Sequence, residues 1–184
     1  MKVLLVVDMI NDFVDKKGTL CVKGAEELIP KINRVIREFA NRNPKNNVIL
    51  YICDAHSEND PEFASWAVHA VSGTWGSALH PDLLQADCSI LFTKQKISSF
   101  SNPIFEKFLA ELKAEELLVT GVATDYCIKA VTLDGLERGY KVVVLDDCIA
   151  GVNLKEGDVQ KAIGEMIVKG AEFAESGEVL GGRY

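Results

Sequence analysis

Five short runs of this 184-residue chain, at 3–7, 48–53, 89–92, 117–120 and 142–145, are apolar and rich in β-branched residues almost without interruption. A strand with one face in water alternates polar with apolar residues. Unbroken apolar runs of strand length are instead what a parallel sheet covered on both faces requires. Helical periodicity fills the gaps between them. Ile32, Val35, Ile36 and Phe39 share one face at a 3.6-residue period. Phe105, Phe108, Leu109 and Leu112 form a second stripe behind Asn102–Pro103, an N-cap followed by a first-turn proline. A third helix is expected over about 124–138, with Thr124 or Asp125 as its cap and Gly139 as its stop. A fourth should start near Asp158 and end at Gly170, with a weaker sixth strand over 171–174. Strands alternating with helices predict the α/β class: a three-layer α/β/α sandwich around a central, mainly parallel sheet, in one domain spanning 1–184.

A formal charge of −7, with 27 acidic against 20 basic residues, argues against a nucleic-acid partner, whose phosphates need clustered Lys and Arg. No stretch approaches the ~18 apolar residues of a membrane span, and the first apolar run is too short for a signal-peptide core. Cys21, Cys53, Cys88, Cys127 and Cys148 form no CxxC pair and no zinc-like spacing; an odd, scattered set suggests reduced thiols in a cytoplasmic protein. Glycine-rich nucleotide loops and a G-x-S-x-G elbow are missing as well.

In open parallel sheets, ligands bind beyond the carboxyl ends of the strands. Chemically capable residues follow each predicted end: Asp8, then Asp54 with His56, then Lys94, then the segment GVATDYC, then Asp146 and Asp147. Any one of them reads as a loop charge; five together favour a site. Cys127 would fall in a helix's first turn, where free N–H groups and the dipole favour a thiolate. The bland alternative is a buried structural cysteine, which suits Cys53, Cys88 and Cys148. Cys21 has no assigned role. The three histidines lie within 56–80, in a long loop, so a carboxylate such as Asp8 is the available base for the thiol, and Lys94 the charge that offsets two anions. A solvated Lys94 at an edge strand is the competing reading. Asp54, His56 and His69 form an Asp/His₂ set suited to a divalent cation, with Glu62 or Asp60 as a further oxygen. His80, before Pro81, reads as structural.

The chain resembles the isochorismatase-like cysteine hydrolases, and within them the nicotinamidase/pyrazinamidase branch. The likeness runs through VVDMINDFV, DAHSENDPEF, HAVSGTWGS, LFTK followed by SSF, GVATDYC and VVVLDDCIAG, and so covers nearly the whole chain. It implies an isochorismatase-like fold and a triad of Asp8, Lys94 and Cys127. It also implies a cis peptide between Val122 and Ala123, and an oxyanion hole from the backbone N–H groups of Ala123 and Cys127. Phe13 and Trp66 match aromatics flanking a planar ring, with Val122 and Ala123 also against the substrate. Asp54, His56 and His69 match metal ligands, for zinc or alternatively iron or manganese. Asp60 stands where many nicotinamidases have a histidine, and Ile97 replaces a common aromatic. The implied activity is hydrolysis of a small-molecule amide, nicotinamide to nicotinate and ammonia, through a thioester. Isochorismate hydrolysis and carbamoyl or ureido amide hydrolysis are alternatives within the family; a phosphate-signalling receiver or a non-catalytic binding module lie outside it. A homo-oligomer is compatible with such a fold.

Overall fold

The computed structural model describes residues 1–43, 46–87 and 89–181; the reading of Cys88 as structural lies outside them. Six strands form one sheet: β1 (Lys2–Val7), β2 (Asn47–Asp54), β3 (Ser89–Lys94), β4 (Glu116–Val122), β5 (Lys141–Ala150) and β6 (Glu172–Ala174). Their order is β3-β2-β1-β4-β5-β6 and every pairing is parallel, so the sheet is wholly rather than mainly parallel. The helices are α1 (Asn11–Val14), α2 (Ala25–Arg42), α3 (Pro103–Glu111), α4 (Lys129–Glu137), α5 (Asp158–Val168) and α6 (Ser176–Leu180).

β1 shows why its apolar run is unbroken. Leu4 and Val6 pack on one side with Ile32, Val35 and Ile36 of α2 and Leu180 of α6. Val3, Leu5 and Val7 pack on the other with Phe105 and Leu109 of α3, Val131 of α4 and Met166 of α5. These five β1 side chains are fully buried, each worth ~1.5–3 kcal/mol against exposure. This is the three-layer sandwich expected from the sequence. The α3 start is also as read: Asn102 accepts hydrogen bonds from the Ile104 and Phe105 N–H groups, with Pro103 at the first helical position.

Two local expectations fail. β5 continues to Ala150 through a register shift opposite Val119–Gly121, so Asp146 and Asp147 lie within the strand rather than after it. Asp147 accepts from the Ser176 N–H and hydroxyl at the start of α6 and is structural. Neither Thr124 nor Asp125 caps a helix. The chain leaves β4 directly into one π-helical turn, Thr124–Ile128, whose N-cap is Ala123 with no side-chain cap. The Asp125 carboxylate instead accepts from Val152 and Asn153 N–H, pinning the loop after β5. Among the described residues no helix is long and apolar enough to cross a membrane.

β1 is central, and the chain runs outward from it in both directions, to β2–β3 and to β4–β6. A crevice must therefore open at the carboxyl ends of β1 and β4. Register brings those ends level: Val7 pairs with both Ile52 and Gly121, and Asp54 with Lys94. Gly121 takes φ +110°, and a Cβ there would lie 2.0 Å from the Val7 carbonyl oxygen. Only glycine lets β4 lie so close to the residue preceding Asp8.

Candidate active site

Asp8, the first residue past β1, has φ +53°, in the left-handed region that aspartate tolerates better than most residues. Its N–H donates to Ile52 O at 2.7 Å, and its Oδ1 accepts from the Asp54 N–H at 2.8 Å. Lys94 is the last residue of edge strand β3, yet only 3% exposed. Its side chain runs beneath the strand ends rather than into water, which removes the solvated-lysine reading. The ammonium lies 2.9 Å from Asp8 Oδ2, is hydrogen-bonded to Asp54 Oδ1, and donates to Cys127 Sγ at 3.3 Å. Asp8 Oδ2 is buried and accepts no aligned hydrogen bond, so a lone pair remains for a proton. Three residues more than 30 apart in sequence thus meet at one point.

Burial and the neighbouring Asp54 charge raise the Asp8 carboxyl to about 6, against the pull of Lys94. Burial also pushes the Cys127 thiol well above its usual range, with Asp8 and Asp54 adding to the effect and Lys94 opposing it. Burial works against the Lys94 charge, but Asp8, Cys127 and Asp54 together hold its ammonium firmly protonated. The resting site is therefore thiol, carboxylate and ammonium.

Beside this cluster, one ligand atom each from Asp54, His56 and His69 lies within 4.8 Å of the others. That is the scale set by two metal–ligand bonds of about 2.0–2.2 Å each. The imidazoles are oriented from behind. His56 Nδ1 is 3.1 Å from Asp60 Oδ2, and His69 Nδ1 is 2.7 Å from Ala67 O. This leaves His56 Nε2 facing Asp54 Oδ2 and His69 Nε2 facing Glu62 Oε1, with the other ring nitrogen held from behind as in metal-binding histidines. His56 Nε2 is buried without a hydrogen-bond partner, and Asp54 Oδ2 is 3.8 Å away, too far for one. An orphaned ring nitrogen facing a carboxylate fits a divalent cation. The same carboxylates, Asp54 foremost and then Asp60, hold the His56 imidazolium up at about 9, so a cation would displace that proton. Of the two further oxygens expected, Glu62 Oε1 lies 3.8 Å from His69 Nε2, whereas Asp60 is already engaged with His56 Nδ1 and the Glu62 N–H.

Above the cluster opens a cavity of about 310 Å³ lined by the predicted Phe13, Trp66, Val122, Ala123 and Cys127. The Val122–Ala123 peptide is cis. Ala123 C=O accepts from the Tyr126 and Ile128 N–H groups and passes over that of Cys127. Sequence reading missed Tyr126, Cys21 and Leu154 in this wall. Tyr126, beside Cys127 in the motif, packs edge-on against Trp66 at 5.4 Å and could have been suspected. Cys21 and Leu154 come from irregular segments that carry no pattern.

Asp12, one turn after Asp8, ties the walls together. Its Oδ1 accepts from Thr19 N–H at 3.1 Å and its Oδ2 from Ala70 N–H at 2.7 Å, holding the residue next to His69. Gly76 leaves room for that carboxylate, since a Cβ there would lie 2.0 Å from Asp12 Oδ2. Asp12→Ala strands the buried Ala70 amide and is expected to lower stability by about 1–3 kcal/mol. Urea unfolding reads this as a lower midpoint at constant slope; an unchanged midpoint would refute the tie.

A parallel sheet with a cysteine, a lysine and two aspartates at its switch point, beside an Asp/His₂ set, defines a class of α/β hydrolase. The isochorismatase domain model matches residues 2–178, and the chain belongs to the isochorismatase family. The chain is 31% identical over 201 residues to the nicotinamidase of Escherichia coli, with 92% of each chain covered. Among solved structures, it superposes on an isochorismatase-like hydrolase from Alkaliphilus metalliredigens with a TM-score of 0.91 at 27% identity, covering 100% and 99% of the two chains. It also superposes on the pyrazinamidase of Pyrococcus horikoshii in complex with zinc, with a TM-score of 0.86 at 30% identity, covering 95% and 98%. Family membership disposes of the receiver-domain alternative.

Proposed function

We propose that the protein is an amidase that hydrolyses nicotinamide to nicotinate and ammonia, with Cys127 as nucleophile. The observation that carries this reading is the Lys94 ammonium, held at once 2.9 Å from Asp8 and 3.3 Å from the Cys127 sulfur. Likeness to a nicotinamidase supports the choice of amide.

In the proposed cycle the ring lies between Phe13 and Trp66, and its amide carbon sits over Cys127. As sulfur bonds to that carbon, the thiol proton passes to Asp8 Oδ2 and the carbonyl π pair moves onto oxygen. Backbone N–H groups of Ala123 and Cys127 stabilise that oxyanion. Its collapse breaks the C–N bond, and the nitrogen leaves as ammonia with the proton from Asp8. Water then attacks the thioester, giving one proton back to Asp8, and the sulfur departs and is reprotonated. Lys94 keeps its charge throughout, steadying Asp8 and the thiolate.

Asp54, His56 and His69 would hold a zinc ion, with Glu62 nearest as a further oxygen; the zinc-bound pyrazinamidase supports this metal. When bound, the ion supplies Lewis acidity for a ring nitrogen or a water. The test is ammonia release from nicotinamide by the metal-loaded protein, with metal content measured on the same sample. We expect turnover and about one zinc per chain, and His56→Ala should lose the metal while staying folded. Absence of ammonia release at full metal loading would end this reading.

A further inference from the structure

The cavity changes character between floor and mouth. Its buried floor carries reactive and charged groups, among them Cys127, Asp54 and His69, with the half-buried Glu62 next to His69. Its exposed lining is uncharged: Ile97 is 43% and Leu154 64% exposed, and the other exposed lining residues are Thr19 and Cys21. Among the described residues no lysine, arginine, asparagine or glutamine side chain lines the cavity. The nearby ammonium of Lys94 is committed to Asp8 and Asp54.

A single exposed leucine means little. Two large aliphatic side chains left in water at the rim of a reactive cavity form a contact surface for whatever extends out of it. A ligand whose amide reaches Cys127 must lay its far end against this rim. A carboxylate there would shed water and find no cation and no side-chain amide, only the neutral Thr19 hydroxyl and Cys21 thiol, whereas an alkyl group would bury area against Ile97 and Leu154. We infer that Ile97 and Leu154 determine specificity at the distal end of the substrate, so that the protein takes uncharged ring amides, including those with an apolar substituent, and refuses amides that carry a carboxylate there, such as ureido acids. This inference rests on the amidase reading for its reaction, not for its ligand preference.

The test uses matched pairs of nicotinamides bearing either a methyl or a carboxylate on ring carbons remote from the amide. Two readouts run in parallel: kcat/KM for ammonia release, and protection of Cys127 from iodoacetamide. At least one methyl compound should stay within about ten-fold of nicotinamide, and its carboxylate partner should fall at least about 100-fold lower. Ile97→Arg or Leu154→Arg, each at an exposed position, should narrow that gap by about ten-fold, through gain on the carboxylate compound. Carboxylate compounds that react or protect as well as their methyl partners would overturn the inference, as would an unchanged ratio in both arginine variants. If nothing is hydrolysed but the methyl compounds alone protect Cys127, the amidase reading falls and the rim assignment stands. If neither class protects, both fall.

Discussion

Cys127→Ala is expected to reduce amide hydrolysis by at least about 10³-fold while leaving the protein folded, because covalent catalysis has no second route once the attacking atom is gone. The structure makes the variant informative. Cys127 is 8% exposed, and its sulfur accepts a hydrogen bond from a lysine that already has two carboxylates. Removing the sulfur therefore strands no buried charge, and the stability change should stay within about 1 kcal/mol. Ammonia release and a urea melt on the same preparation check both halves. Retention of more than about a tenth of the activity would exclude a thiol nucleophile.

Lys94→Met should lose activity as thoroughly, but for a different reason and with a different signature. Its ammonium is the cation in contact with both Asp8 and Asp54. Asp8 is fully buried and Asp54 nearly so. Methionine fills the volume and leaves Asp8 and Asp54 facing each other without the ammonium, with His56 remaining beside Asp54 alone. Breaking a buried ion pair from one side costs about 3–5 kcal/mol, so this variant should unfold at a much lower urea concentration than Cys127→Ala. Adding Asp8→Asn removes one of the stranded charges and should restore part of the stability but none of the turnover, a coupling that a double-mutant cycle measures. A Lys94→Met protein as stable as the parent would mean the ammonium does not bind these carboxylates.

The sandwich was legible in the sequence because a two-sided sheet leaves an unmistakable mark. The unbroken Val3–Val7 run could be satisfied only between two helical layers, and it is. Asp8, Asp54 and Lys94 were legible as strand-end residues, since the crevice of an open parallel sheet lies beyond the carboxyl ends of its strands. The inward burial of Lys94 was not, because nothing local distinguishes an edge lysine that turns inward from one that turns out. Asp146 and Asp147 misled for a related reason. Their position suggested a strand end, but a register shift carries β5 past them, a feature decided by pairing with β4. Thr124 and Asp125 have the chemistry of caps, yet the chain leaves β4 straight into a π turn, and Asp125 turns to the Val152 and Asn153 amides. The rim residue Leu154 sits in an irregular segment where no periodicity says which way a side chain points.

The central claim is that the thiol of Cys127, which meets Lys94 and Asp8 at the cavity floor, is the group that attacks. Limited iodoacetamide treatment followed by peptide mapping, run on the parent and on a Cys21→Ser variant, tests it directly, because the exposed Cys21 also lines the cavity and has to be removed from the comparison. Loss of ammonia release should follow alkylation of Cys127 in proportion, in the parent and in Cys21→Ser alike, and be prevented by pyridine-3-carbaldehyde. Protein carrying alkylated Cys127 that still releases ammonia at the parent rate would contradict it.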